Sequence, residues 1–208
     1  MTASLTTASS RLSVAEPATL SLENGRFAGL TAGVVALGCA ALVLRPVVVE
    51  AVGAAGAAGV LVALFTGLLA VGALWPLART PVAPRRVAAA VLTVGVLAFA
   101  AGRFGGGGHA PGPLSGRLVV LSVLAAVAEE AFFRRLTYAA IERVHGPTVA
   151  VAGSAALFAL VHVTVYGWWV LPLDLAAGLV LSWQRWASGR WTVPAATHVL
   201  ANVLVVLR

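Results

Sequence analysis

Residues 51–75 read AVGAAGAAGVLVALFTGLLAVGALW, twenty-five positions without one charged side chain. An α-helix needs about 17 to 25 such residues to cross the hydrocarbon layer of a bilayer. Comparable spans occupy Phe27–Leu44, Val87–Ala101, Leu118–Arg135 (extending toward Val144), Thr148–Tyr166, Val170–Trp183 and Thr192–Leu207. Proline, glycine and arginine separate them: Arg45-Pro46, Pro81–Pro84 ahead of Arg85-Arg86, a glycine-rich 105–113 stretch, Gly146-Pro147 and Ser188-Gly189. Lipid offers no hydrogen bonds, so each span must satisfy its backbone internally as helix. The expected fold is an all-α polytopic membrane protein, a bundle of about seven transmembrane helices with an intramembrane polar site.

Composition agrees. The chain is 60% apolar and 10% charged with mean hydropathy +0.97, against about 45–50% and 25% in soluble domains. Residues 27–208 show no internal repeat or boundary and read as one bundle. Residues 1–26, rich in Ser, Thr and Ala and without a continuous apolar core, read as a flexible tail and not a signal peptide. The net charge of +7 does not indicate nucleic acid, because the arginines are scattered between apolar spans. With Arg134 and Arg135 set aside, an inside N-terminus puts eight arginines on the inner side against four, including Arg45, on the outer. That places the N-terminus in the cytoplasm and the C-terminus outside, in the plasma (inner) membrane. Trp75, Trp183, Trp186 and Trp191 fall near the inner boundary, Trp168 and Trp169 near the outer. Cys39 stands alone, which leaves no disulfide or cysteine metal site.

Polar residues inside the spans are few: Glu129, Glu130, Arg134, Arg135, His162, Asp174, His198 and Asn202. A charge at the bilayer centre costs about 2.5–3.5 kcal/mol even on insertion scales, so each such residue suggests function. Glu130 and Arg134 lie four apart with the acid first, the favoured order for pairing on one face. Phe158 and His162, and His198 and Asn202, repeat that spacing. Glu129 lies fourteen residues before Arg143 and His162 fifteen after Pro147. At about 1.5 Å per residue the two meet at one depth on a helical hairpin, with His198 a couple of turns shallower. Glu129 has no cation at four-residue spacing, so an unpaired acid stands beside two imidazoles, as in a general base or a metal site. Asp174 lies near a span end and is the weaker candidate.

These segments resemble the three motifs of the CPBP family of intramembrane proteases, which includes the CAAX prenyl endopeptidases and bacterial Abi proteins. The motifs read Glu129-Glu130-Ala131-Phe132-Phe133-Arg134, Phe158-Ala159-Leu160-Val161-His162 and His198-Val199-Leu200-Ala201-Asn202, and the similarity covers roughly residues 115–207. Arg135 departs from the pattern, where relatives carry a small residue. The resemblance implies an intramembrane endopeptidase acting on a membrane-associated protein or peptide. Glu129 and His162 would activate water, and His198 and Asn202 would stabilise the oxyanion. Glu130, Arg134 and Phe158 would support them. All these residues except Arg134 and Phe158 are expected to face one cavity reached from the inner side.

Zinc held by Glu129, His162 and His198 would match an open three-ligand site. There is no HExxH, and Glu129 as ligand would leave only Glu130, which faces Arg134, to act as base. The metal-free reading is therefore preferred, with no cofactor assigned. The alternatives are a non-catalytic membrane scaffold or immunity-type protein and a small proton-coupled transporter. A scaffold would be expected to lose a motif residue, and a transporter to show repeats or broken spans around the site. Neither feature is present in the sequence.

Overall fold

A computed structural model describes residues 18–78, 80–105 and 116–206, and among them every element is helical. The helices are α1 (Ala18–Leu74), α2 (Arg85–Gly105), α3 (Gly116–Glu130), α4 (Tyr138–Tyr166), α5 (Leu171–Ser188) and α6 (Thr192–Val206). A π-helical segment, Ala131–Thr137, joins α3 to α4, and a short 3-10 turn, Trp168–Val170, leads into α5. The expected tail lies outside the described residues up to position 17, while its remainder begins α1. Most of the glycine-rich 105–113 stretch also lies outside them.

Three stretches are long and apolar enough to cross a membrane: Gly25–Leu74, Arg85–Gly102 and Gly116–Tyr166. Thr192–Leu204 is apolar but shorter. The first and third each cover two of the expected spans and bend at one glycine, Gly53 (φ 64°) or Gly146 (φ 81°). Only glycine takes that left-handed conformation at little cost. The second bend is where Gly146-Pro147 put it. The first is not at Arg45-Pro46: α1 runs through Pro46 and breaks seven residues later at Gly53. Proline is tolerated in membrane helices when neighbours satisfy the freed carbonyl. This difference leaves Arg45 inside a helix and not in a loop.

The bundle distributes polarity the opposite way from a soluble domain. Leu37 is 72% exposed, Val120 67% and Leu97 62%, whereas Glu130, Arg134, Ser154, Ser182 and Gln184 are fully buried. Burying charge while exposing leucine makes sense only where the surroundings are as apolar as leucine. Helix α4 lies along α5, α3 against α6, and the far limb of α1 against the π-helical segment. That last approach depends on Gly72, where a methyl group would run into the backbone of Ala131. Between these elements Leu42, Phe65, Leu68, Phe132, Phe133, Leu136 and Phe158 form the apolar core under the polar cluster.

Polar side chains tie the helices together. The Ser154 and Ser182 hydroxyls are 2.8 Å apart across α4 and α5. Gln184 donates to the Val91 carbonyl and to Thr197 Oγ1, both at 2.9 Å, and so joins α5 to α2 and α6. Arg185 does not serve as an exposed topology anchor. It is buried, and its Nε donates to the Arg134 carbonyl at 3.0 Å.

Candidate active site

The cluster is built at the junction of α3 and the π-helical segment. Glu129 and Glu130 close the last α-helical turn, and the wider turns begin at Ala131. Single-turn π insertions recur at functional sites because they displace side chains from the regular register. Nothing in the sequence marks this one. The Glu130–Arg134 pair expected from four-residue spacing forms across the boundary, with Nη1 3.0 Å from Oε1 and both side chains fully buried. The Arg134 guanidinium also lies 4.4 Å from the centre of the Phe158 ring. Arg134 is thus held by an anion at its tip and an aromatic face beside it.

Glu130 Oε1 also accepts from His198 Nδ1 at 2.9 Å. That bond commits Nδ1 as the donor and turns Nε2 the other way. His162 is fixed similarly: its Nδ1 donates to the Phe158 carbonyl one turn back, at 2.7 Å. The Phe158 ring lies 4.5 Å from the His162 ring and 5.9 Å from the His198 ring. Both imidazoles therefore present Nε2 to the same atom, Glu129 Oε2, at 3.8 Å from His162 and 4.0 Å from His198. A carbonyl or carboxylate that fixes one ring nitrogen defines what the other can do. The shallower depth expected for His198 is absent, since it reaches Glu129 as closely as His162 does.

Asn202, one turn beyond His198, donates to the Ser122 carbonyl at 3.3 Å, which leaves its second N–H uncommitted. A cavity of about 920 Å³ receives Glu129, His162, His198, Asn202 and Asp174 together. Glu130 is not on its wall; it lies behind His198, fully buried. The cavity runs from the site toward Leu118, Tyr166 and Trp169, where α3 begins and α4 hands over to α5. With the N-terminus inside, that end is the outer one. The expectation of a cavity reached from the inner side is thus reversed relative to that orientation.

Sequence reasoning missed two charged members of the cavity wall, Arg45 and Glu50. Arg45, expected as an outer anchor, comes from α1 to put Nη1 3.9 Å from Glu129 Oε1. The available signal is an arginine followed by proline in an otherwise unbroken apolar run, a pattern that also marks loops. Arg135, the departure from the motif, lies away from the cavity and donates to the Gly72 and Trp75 carbonyls. Basic side chains commonly close helix C-termini in this way.

The site can do acid–base chemistry: a carboxylate oxygen faces two ring nitrogens at the wall of a cavity of about 920 Å³. A common tetrahedral zinc at about 2.0–2.1 Å would hold its donors about 3.3 Å apart, closer than the 3.8 and 4.0 Å seen here. Among the described residues no three His, Cys, Asp or Glu side chains are arranged to hold a metal ion.

No curated protein and no solved structure matches the chain. Residues 111–204, which hold all three motifs and every residue of the cluster except Arg45, match the family model of the type II CAAX prenyl endopeptidase Rce1-like proteins, and this region of the chain is similar to that family.

Proposed function

We propose that the protein is an intramembrane endopeptidase that hydrolyses a peptide bond of a membrane-associated protein or peptide. The observation that carries this reading is the convergence of two orientated Nε2 atoms on Glu129 Oε2 at the wall of a cavity. A water held between Glu129 and His162 gives its proton to the carboxylate as its oxygen attacks the scissile carbonyl carbon. General-base assistance of this kind contributes about 10²–10⁴-fold. The new oxyanion is met by the free N–H of Asn202 and by His198. Because Nδ1 of His198 is spent on Glu130, its Nε2 donates only in the imidazolium form. The tetrahedral intermediate collapses with cleavage of the C–N bond, and Glu129 passes the proton to the leaving amine. Glu130 and Arg134 act through His198 by holding it in place.

The two glycine-broken helices are read as two crossings each, which with α2, α5 and α6 restores seven. The assignment to the plasma (inner) membrane with a cytoplasmic N-terminus is part of the same proposal. Reporter fusions before Ala18 and after Gly146 test it, and both should report the cytoplasmic side. An outside signal at either overturns the topology without touching the chemistry.

The activity is tested with an internally quenched, lipid-anchored peptide in liposomes. Glu129→Gln keeps size and hydrogen bonding while removing the proton acceptor, so turnover should fall about 10²–10⁴-fold with the melting temperature nearly unchanged. Undiminished cleavage by Glu129→Gln would remove the reading. A chelator should leave wild-type turnover unaltered; loss of activity that zinc restores would replace the metal-free mechanism with a metal-dependent one.

A further inference from the structure

Glu129 has two oxygens, and the structure divides them between different partners. Oε2 faces both imidazoles, while Oε1 faces Arg45 at 3.9 Å. Arg45 comes from α1, outside the Rce1-like region, and reaches the site because α1 continues through Pro46. Its side chain is 12% exposed, and it makes no hydrogen bond among the described residues. Its other neighbour is the Phe65 ring, 5.6 Å from the guanidinium carbon. A guanidinium removed from water and resting on an aromatic face needs an anion, and Glu129 is the carboxylate its Nη1 is paired with.

From this geometry we infer that Arg45 is a positioning residue for the proposed reaction: it draws Glu129 Oε1 to one side so that Oε2 is aimed at the imidazoles and the attacking water. The inference rests on the protease reading. A carboxylate turns easily about its last bond, and without an anchor on Oε1 either oxygen could face the histidines, or neither. Small misplacements of a reacting group are costly, about 10²-fold for roughly 1 Å. Glu50 and Asp174 also line the cavity, and among the described residues neither forms an ion pair with Arg45.

The test uses the full-length protein in detergent and liposomes, with Arg45→Gln, Arg45→Lys, Glu129→Gln and the Arg45→Gln/Glu129→Gln double variant. Thermal unfolding reads the pair without any reference to activity. Arg45→Gln should lower the melting temperature, and adding Glu129→Gln should restore part of the loss, because the unpaired carboxylate is then gone. On the quenched lipid-anchored peptide, Arg45→Gln should lower kcat about 10²-fold with KM changed less than about twofold. Arg45→Lys should recover part of kcat, and guanidinium ion added to Arg45→Gln should recover part as well. The double variant should turn over no more slowly than Glu129→Gln alone, since the two act as one unit. Additive melting temperatures overturn the pairing. An unchanged kcat, or a raised KM with kcat intact, overturns the positioning role, the second because Arg45 would then bind substrate. A wild type that cleaves no lipid-anchored peptide defeats the protease reading itself, a failure distinct from the melting result.

Discussion

The two ends of the chain solve the same problem, life in a bilayer, in different ways. In the 18–105 region the helices meet lipid: only 17% of the most apolar window is buried in Gly25–Leu74, and the same in Arg85–Gly102. In the 116–206 region the corresponding share of Gly116–Tyr166 rises to 39%. The difference is chemical as well as steric. Of the buried polar side chains among the described residues, Thr31 alone comes from the first region; the rest, from Glu129 to His198, come from the second. The N-terminal helices behave as a wall that needs apolar surface, and the C-terminal ones as a container that needs its polar contents satisfied. Arg45 and Glu50 are the exceptions, charged contributions from the wall to the container.

If that division is right, substitutions in the container should cost far more than substitutions in the wall. The largest effect should come from the proposed oxyanion partners. His198→Ala and Asn202→Ala should each lower kcat about 10²–10³-fold. Their combination should lose less than the product of the two, because they serve one charge. Full turnover in either variant, measured on the quenched peptide, would move the oxyanion site elsewhere in the cavity.

Next in size is Arg134→Ala. It leaves Glu130, fully buried, with His198 as its hydrogen-bond partner. Breaking a buried ion pair costs about 3–5 kcal/mol, enough to reduce folded yield as well as activity. A monodisperse, normally melting Arg134→Ala protein would show that the container tolerates a lone carboxylate, and the contrast between the two regions would lose its main energetic support.

This contrast was partly legible in the sequence. The apolar runs gave the helical class, and four-residue spacing gave Glu130–Arg134, Phe158–His162 and the face shared by His198 and Asn202, because helix periodicity maps directly to position. Contacts made across helices left weaker traces. Arg45 and Gln184 reach their partners over 84 and 93 positions, and no local pattern encodes that. The position of the Gly53 bend was missed for a related reason. Proline looks like a stop, but in a membrane the helix can carry it, and a glycine among many glycines is a poor signal. The π-helical segment packs against α1 at Gly72, which is also a distant contact.

Gln184→Leu sharpens the comparison at the middle of the scale. Gln184 is fully buried and serves α2 through the Val91 carbonyl, so it stitches wall to container. Its loss leaves a carbonyl and a threonine hydroxyl short of a donor, at about 1–3 kcal/mol. The melting temperature should drop while the ratio of kcat to the folded fraction stays constant. A changed ratio would mean that the α2 contact shapes the site and not only the bundle.

The smallest effects provide the control. Ser154→Ala removes a buried hydroxyl pair between α4 and α5, and hydrogen bonds between membrane helices average only about 0.6 kcal/mol. Leu37→Ala removes an apolar side chain that is 72% exposed on the N-terminal wall. Lipid replaces most of those contacts, so its cost should fall within about 0.5 kcal/mol, the usual range for surface changes. Both should melt close to wild type, with Ser154→Ala the lower of the two. A Leu37→Ala loss comparable with that of Gln184→Leu would show this surface packed against protein, in a second copy or in a partner. The wall would then be an interface, and its low burial a property of the isolated chain.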